Sequence, residues 1–288
     1  MIPLLLSVLS SSLIFVIFKL FKKFGIDTFQ AIVVNYFTAF TIGFTLYGQT
    51  WDPECLEQNS WMYYAVLCSL LFIGLFLLMG KSSQLNGVAS TSIAVKMSMA
   101  ISLIFMIIGY GESITLLKIL GILLAFLGVY LVSKPSKSKN SQTSALWMLV
   151  VLFVGSGVLD FVLSYVENTQ FEFINASLFS AIGFGLAGAL GLIILSVRYI
   201  QGSAKFQFKN VLAGIILGIP NYFSIYLLLL SYKSTGWDDS TVLAITNVSV
   251  VLLSAVIGFT AFKEATSTQK IIGLVSAILA ICVLYIAN

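Results

Sequence analysis

The sequence predicts an all-α integral membrane protein with ten transmembrane helices in two five-helix inverted repeats. Three observations carry this reading. The composition cannot cover a water-facing surface, apolar runs recur at bilayer length, and positive charge is confined to alternate breaks between those runs. Hydrophobic residues make up 59% of the 288 residues and charged residues 9%, with a mean hydropathy of +1.04. A soluble domain usually carries about 25% charge, so the bilayer is the natural solvent for this chain.

A bilayer core about 30 Å thick takes about 20 apolar residues per helix. Ten runs fit: 2–21, 29–47, 61–80, 87–108, 114–133, 145–165, 174–198, 208–231, 239–260 and 266–287. The first follows Met1 directly, without a basic leader or a small-residue cleavage site, and reads as a retained first span. The runs do not alternate apolar and polar residues with period two, as barrel strands would. Helices satisfy their own backbone groups in lipid, so a helical bundle is the better reading.

Charge sets the orientation. The breaks after spans one, three, five, seven and nine hold Lys19, Lys22, Lys23, Lys81, Lys134, Lys137, Lys139, Arg198, Lys205, Lys209, Lys263 and Lys270. The opposite breaks hold only Lys118 and Lys233, and they collect Asp52, Glu54, Glu57, Glu112, Glu167, Glu172, Asp238 and Asp239. Basic loops stay in the cytoplasm, so both termini are expected on the non-cytoplasmic side, in a bacterial inner membrane. The net charge of +4 is then explained by topology, and no nucleic-acid partner is implied. Cys55, Cys68 and Cys282 show no CxxC spacing and histidine is absent. A structural zinc site and a histidine-based triad are therefore excluded, and no cofactor or metal is expected.

The segment "GYGESITLLKILGILLAFLGVYLVS" (109–133) is similar to "AFKEATSTQKIIGLVSAILAICVLYI" (261–286). Glu112 aligns with Glu264, Lys118 with Lys270 and Gly121 with Gly273, each at a separation of 152. The break "SKPSKSKNSQTS" has linker composition. The expected division is a first half 1–133, a cytoplasmic linker 134–144 and a second half 145–288. A five-span unit is odd in number, so its copy enters the membrane from the other side. This is the inverted-repeat plan of many secondary transporters, with binding near the midplane.

The 5+5 plan, the acidic residue before spans five and ten, the glycine-punctuated spans that follow, and the opening "SSSLIFVIFKLFKKFGIDTFQAIVVNYFTAF" resemble the EamA-type proteins of the drug/metabolite transporter superfamily. The resemblance covers essentially the whole chain. It implies a secondary transporter that moves a small metabolite (an amino acid, an amine or a similar polar solute) by alternating access. The cavity it implies lies between the halves, lined mainly by spans one, three, four, six, eight and nine. The chain departs from the pattern in two places. Ser10-Ser11-Ser12 stand where many relatives have Trp-Gly, and spans four and nine lack a proline, the only prolines being Pro3, Pro53, Pro135 and Pro220. Bending in those spans must come from elsewhere or be absent.

The candidate site rests on charge inside the membrane. Lys96 lies midway along span four with no other charge within ten residues. A cation at that depth costs at least about 2.5–3.5 kcal/mol on insertion scales, and it is too far from either interface to snorkel. Ser92 lies one turn before it on the same face. Asp160, on span six, belongs to a stripe with Ser156, Ser164 and Glu167. Both charges are candidates for substrate binding and ion coupling, with protons as the ion. The competing reading is a structural ion pair between Lys96 and Asp160. Span eight adds Asn221 and Tyr222 beside Pro220, after the Gly214/Gly218 pair that permits close helix approach. Asn247 on span nine is a further candidate for substrate contact, and the family plan that the resemblance implies favours it over Asn35 on span two; interhelical hydrogen bonds account for such amides equally well. Gly183, Ala187 and Gly191 form a packing ridge, and Trp51, Trp61, Trp147 and Trp237 are expected as interfacial anchors.

The alternative functions are a channel or a lipid-handling membrane protein. A channel needs pore-lining rings, which one lysine and one aspartate do not make. An enzyme needs a nucleophile with its base, or a metal cluster, at depth, and the absence of histidine and of an acidic cluster at depth argues against one. The expected partners are a small-molecule substrate and the lipid bilayer. A homodimer and proton coupling are admitted by the sequence without being specified by it.

Overall fold

The structure is a computed structural model that describes residues 1–47, 60–110, 114–133, 146–170, 176–235, 239–264 and 266–287. The linker 134–144, Glu112, Trp51 and Trp237 fall outside the described residues. Among the described residues there are eleven helices and no strand. They are α1 (Ile2–Phe24), α2 (Thr28–Tyr47), α3 (Ser60–Leu85), α4 (Val88–Lys96), α5 (Met99–Tyr110), α6 (Leu116–Ser133), α7 (Leu146–Gln170), α8 (Ala176–Ile200), α9 (Phe208–Thr235), α10 (Asp239–Thr260) and α11 (Thr268–Ala287).

Each of the ten apolar runs read from the sequence holds helix among its described residues. One is not continuous: the fourth is divided into α4 and α5. Eight stretches are long and apolar enough to cross a bilayer, counting Val88–Gly109 across its break, while Leu116–Val132 and Ile245–Thr260 are apolar but shorter. The lipid-facing character shows in the surface. Ile2, Leu116 and Ile200 are 72%, 83% and 87% exposed, a pattern that would form large sticky patches in water.

The described chain forms two compact units. One comprises Met1–Leu20, Leu78–Val158 and Phe223–Asn288, and the other Phe21–Leu77 and Leu159–Tyr222. Each takes segments from both sides of the linker, so these units differ from the expected halves 1–133 and 145–288.

In the first unit, α6 and α11 cross closely through glycines. A Cβ on Gly128 would lie 3.1 Å from the Gly273 carbonyl, and one on Gly273 would lie 3.0 Å from the Gly128 carbonyl. Gly121 meets Leu284 at 2.6 Å, and Gly273 meets Val132 at 2.9 Å. Shifting the first pair by the repeat separation of 152 turns it into the second, since Gly121 maps to Gly273 and Val132 to Leu284. The contact is self-complementary in the manner of a two-fold interface. Lipid provides little hydrophobic drive between helices, so such close packing supplies the adhesion. Around it, Ile93, Met97, Ile101, Phe153, Val251, Ile281 and Leu284 form one buried cluster.

In the second unit, small residues again set the approach. A Cβ on Gly214 would meet Val34 at 2.5 Å, and one on Gly218 would meet Thr38 at 2.6 Å, which seats α9 on α2. Gly183 faces Phe72 and Gly191 faces Val33 and Ile73, and Ala187 is fully buried. Both small-residue ridges read from the sequence are packing surfaces. The expectation for Trp61 is corrected. It is 1% exposed, inside a cluster with Ala65, Cys68, Val166, Leu178 and Phe179, rather than anchored in a lipid interface. Trp147, at 58% exposed, is free to act as an interfacial anchor.

Candidate functional site: a broken span charged at both ends

α4 is a rod of nine residues, about 13 Å long at 1.5 Å per residue. It stops at Lys96, and residues 97–98 form a turn before α5 begins at Met99. No proline is involved. The Ser98 hydroxyl donates to the Val95 carbonyl at 2.6 Å. The backbone then tightens: the Ala100 amide donates to the Met97 carbonyl at 3.0 Å and the Ile101 amide to the Ser98 carbonyl at 2.9 Å. A serine that bonds back into the ladder is a recognised cause of helix bending. A bend from a source other than proline is therefore present in span four, and Ser98 stands at it.

Lys96 lies in the last turn of α4 and is half-buried. Its neighbours along the rod are tightly held, with Ile93 and Met97 each 1% exposed. Ser92 is fully buried, and its hydroxyl donates to the Ala89 carbonyl at 2.9 Å. Asn247 of α10 is 6% exposed and donates through Nδ2 to the Met99 sulfur at 3.9 Å. The break and Asn247 therefore face one another. α7 approaches from another side, where a Cβ on Gly157 would lie 2.4 Å from Ile101 Cβ and 2.7 Å from the Ser98 carbonyl oxygen. Only glycine allows this approach.

The other end of α4 is sealed by a residue far away in sequence. Gly87 turns the chain with φ +99°, in the left-handed region that glycine adopts without strain. It offers no side chain to cap the helix. The Glu264 carboxylate, from the α10–α11 connection, does so instead. It accepts the Val88 amide at 2.6 Å and the Ala89 amide at 3.4 Å. An anion at a helix N-terminus satisfies amides that have no partner inside the helix and complements the dipole. Lys19 of α1 lies 3.6 Å from the same carboxylate, and the Glu264 side chain is 7% exposed. Glycines make the room: a Cβ on Gly87 or Gly258 would strike the carboxylate at 2.5 Å or 2.8 Å.

The remaining candidates belong to the second unit. Asp160 is exposed, Asn221 is 6% exposed, and Tyr222 is half-buried with its ring edge 3.0 Å from a Cβ placed on Gly43. The Glu167 side chain lies outside the described residues. Asn35 is fully buried, and neither atom of its amide has a hydrogen-bond partner among the described residues. At the loop end, Asp27 caps α2 by accepting the Phe29 and Gln30 amides, and it pairs with Arg198 at 3.7 Å. The Asn210 side chain accepts the Asp27 amide at 3.0 Å and donates to Gln30 Oε1 at 2.9 Å. Asp27, Gln30 and Asn210 line an open polar cleft of about 460 Å³.

The structure thus brings Ser92, Lys96 and Asn247 into one unit around the break, while Asp160, Asn221 and Tyr222 lie in the other. Sequence reasoning found Lys96 but missed three partners of the broken rod. In the sequence Glu264 stands out only by its alignment with Glu112. The signal available for it was the pairing of Asn-Gly at 86–87, which ends a helix without a capping side chain, with a lone acid in a very short connection. Gly157 and Ser98 carried no signal that separated them from other small residues in spans.

A polar break inside an apolar span is a feature found among membrane transporters. Residues 1–134 match the EamA-like transporter family, and over that stretch the resemblance read from the sequence is borne out. An uncharacterized protein of Haemophilus influenzae is 27% identical over 290 residues, covering 98% of this chain and 97% of that protein. A solved crystal structure superposes with a TM-score of 0.59 at 14% identity, covering 98% of this chain and 99% of that one. At that identity the likeness concerns the fold.

Proposed function

We propose that the chain is a secondary transporter of a small polar metabolite, an amino acid, an amine or a similar solute, and that it works by alternating access around a midplane site marked by Lys96. The single observation that carries the reading is the break of span four at Lys96. Discontinuous helices at the midplane are the means by which many secondary transporters bind solute and ion. The EamA match of residues 1–134 supports the transport class. The 152-residue shift that relates the Gly121–Leu284 and Gly273–Val132 contacts supports two inverted five-helix repeats. Ser92, Asn221, Tyr222 and Asn247 are offered as further substrate contacts, and Asp160 with Lys96 as ion-coupling groups. The protein is placed in a bacterial inner membrane, with both termini outside.

The test is a thermal-shift screen of the detergent-purified protein against amino acids, nucleosides, amines, organic acids and sugars, with Lys96→Ala alongside. A ligand that binds only the folded state raises the melting temperature by mass action, by about 2.7 kcal/mol of stability at 100 times Kd. We expect at least one class to raise the melting temperature of the parent, and the shift to be lost in Lys96→Ala. A shift that survives the substitution removes Lys96 from the substrate site. No shift with any class, together with no solute flux in reconstituted vesicles, overturns the transporter reading.

A further inference from the structure

We propose that Asn35 and Tyr36 of α2 form a hydrogen-bonding site that is shut in this conformation and takes an uncharged polar guest when α2 parts from its neighbours. Both residues belong to the second unit. The inference goes beyond the transport reading, since neither residue is among the contacts offered there and the site needs no role for Lys96.

Two successive polar groups of α2 are buried without partners. Asn35 is 0% exposed, and neither Nδ2 nor Oδ1 of its amide has a hydrogen-bond partner among the described residues. Tyr36 is 1% exposed, and its hydroxyl has none either. An amide offers two donor hydrogens and an acceptor, and a phenol offers one of each. The large majority of buried side-chain polar atoms in proteins find a partner, so an amide and a phenol that both lack one call for an explanation. Serines are a weaker case. Ser196 and Ser231 each turn a hydroxyl to the carbonyl four residues back, a bond that a helical serine reaches by rotating one torsion. An asparagine amide and a tyrosine phenol have no such bond to fall back on.

The neighbours close over α2 by van der Waals contact. The Tyr36 ring lies 5.6 Å from Phe76 and 6.0 Å from Phe184. Toward α9, a Cβ on Gly218 would lie 2.6 Å from Thr38 Cβ and 2.8 Å from the Asn35 carbonyl oxygen. Polar ties of α2 stand at its start. There Asn210 bonds the Asp27 amide and the Gln30 side chain, and Gln30 donates to the Lys205 carbonyl at 2.9 Å. Asn35 comes eight residues after Asp27, about 12 Å further along the helix. Past it, Thr38, Thr41 and Thr45 donate to carbonyls of α2 itself. A helix tied by hydrogen bonds at its loop end and by apolar contact along its length is built to hinge at the tied end. Parting it exposes an amide and a phenol that gain hydrogen bonds in the opened state. The amide sets the chemistry of the guest, which must present a donor and an acceptor side by side. A carboxamide, the N6–N7 edge of adenine and water all do so.

The test reads closure and opening separately. Tyr36→Phe removes one oxygen and adds nothing. It should melt at or above the parent in detergent, because an unpaired buried hydroxyl costs stability. Asn35→Leu, which has the same branching and no polar atom, should melt higher by about 2–4 °C. Should its larger methyl groups keep Asn35→Leu from folding, Tyr36→Phe decides. For opening, folded Asn35→Cys is treated with 2-aminoethyl methanethiosulfonate and the adducts are located by peptide mass. The introduced thiol should be modified, whereas Cys68, 0% exposed in the same unit, should not. Glutamine or adenosine, which carry the matching donor and acceptor, should slow the modification where the guest is a solute. A rate that neither changes assigns the guest as water. The proposal is overturned if Tyr36→Phe or a folded Asn35→Leu melts below the parent, if the introduced thiol stays unmodified in the folded protein, or if Cys68 reacts as fast. None of these readouts needs flux or Lys96, so the site can fail while transport stands, and the reverse.

Discussion

Replacing Glu264 with alanine is expected to destabilise the purified protein by about 2–4 kcal/mol, since hydrogen bonds to a charged group are worth about 1.5–3 kcal/mol and a helix cap about 1 kcal/mol. The carboxylate accepts two backbone amides of α4 and is 7% exposed. Its loss leaves those amides at a helix start with no side-chain partner, because Gly87 cannot supply one. The Lys19 pair adds little to the figure, because partly exposed pairs contribute a fraction of a kilocalorie per mole. Glu264→Gln keeps an acceptor and loses the charge, so it should fall between the parent and alanine. Gly87→Ala should act like Glu264→Ala by another route. Its Cβ would lie 2.5 Å from the carboxylate, and its backbone holds φ +99°. Melting in detergent, followed by tryptophan fluorescence or circular dichroism, decides the matter. An alanine variant that melts within a degree of the parent would mean that water caps α4 equally well, and Glu264 would then be a bystander.

Gly157→Leu is the second large effect. Adding even a Cβ at this position places an atom 2.4 Å from Ile101 Cβ and 2.7 Å from the Ser98 carbonyl oxygen. One of these is backbone and the other is fixed to it, so neither can swing away. The helix must move. Overpacking of this kind costs about 1–3 kcal/mol, and the movement falls directly on the turn that carries Lys96. Ligand shifts and flux should therefore fall more steeply than stability does. The partner substitution Ile101→Ala should not restore them. It removes Cγ2 but leaves Cβ and the Ser98 carbonyl in place. Normal flux in Gly157→Leu would show that α7 is free to separate from the break without consequence.

The residues that were legible in the sequence are those whose physics is local. A run of twenty apolar side chains must cross a bilayer or aggregate, and lysines such as Lys134 and Lys205 cannot follow such a run through it. The helical membrane class and the out-of-place charge at Lys96 followed from this. So did the small-residue contacts at Gly214, Gly218 and Gly191, because a missing Cβ permits close approach whatever the partner is. Trp61 shows the limit. Its position beside a polar break looked interfacial, yet it packs against Val166 and Phe179, residues about a hundred positions away that only the fold brings near.

By itself, the sequence determined that the chain is a helical membrane protein, that its fourth apolar run carries a cation, and that Glu112 and Glu264 stand in similar segments 152 residues apart. These are consequences of composition and spacing. The tertiary structure alone decided that the fourth span breaks after Lys96, that Glu264 closes the start of that broken rod from 175 residues away, and that α7 touches the turn through Gly157. The reason is physical. A helix end leaves backbone groups that must be satisfied, and in a folded chain the group that satisfies them is chosen by proximity in space. The local sequence around Val88 shows only that a cap is missing, and neither it nor the sequence around Ser98 names the carboxylate or the glycine that arrives there.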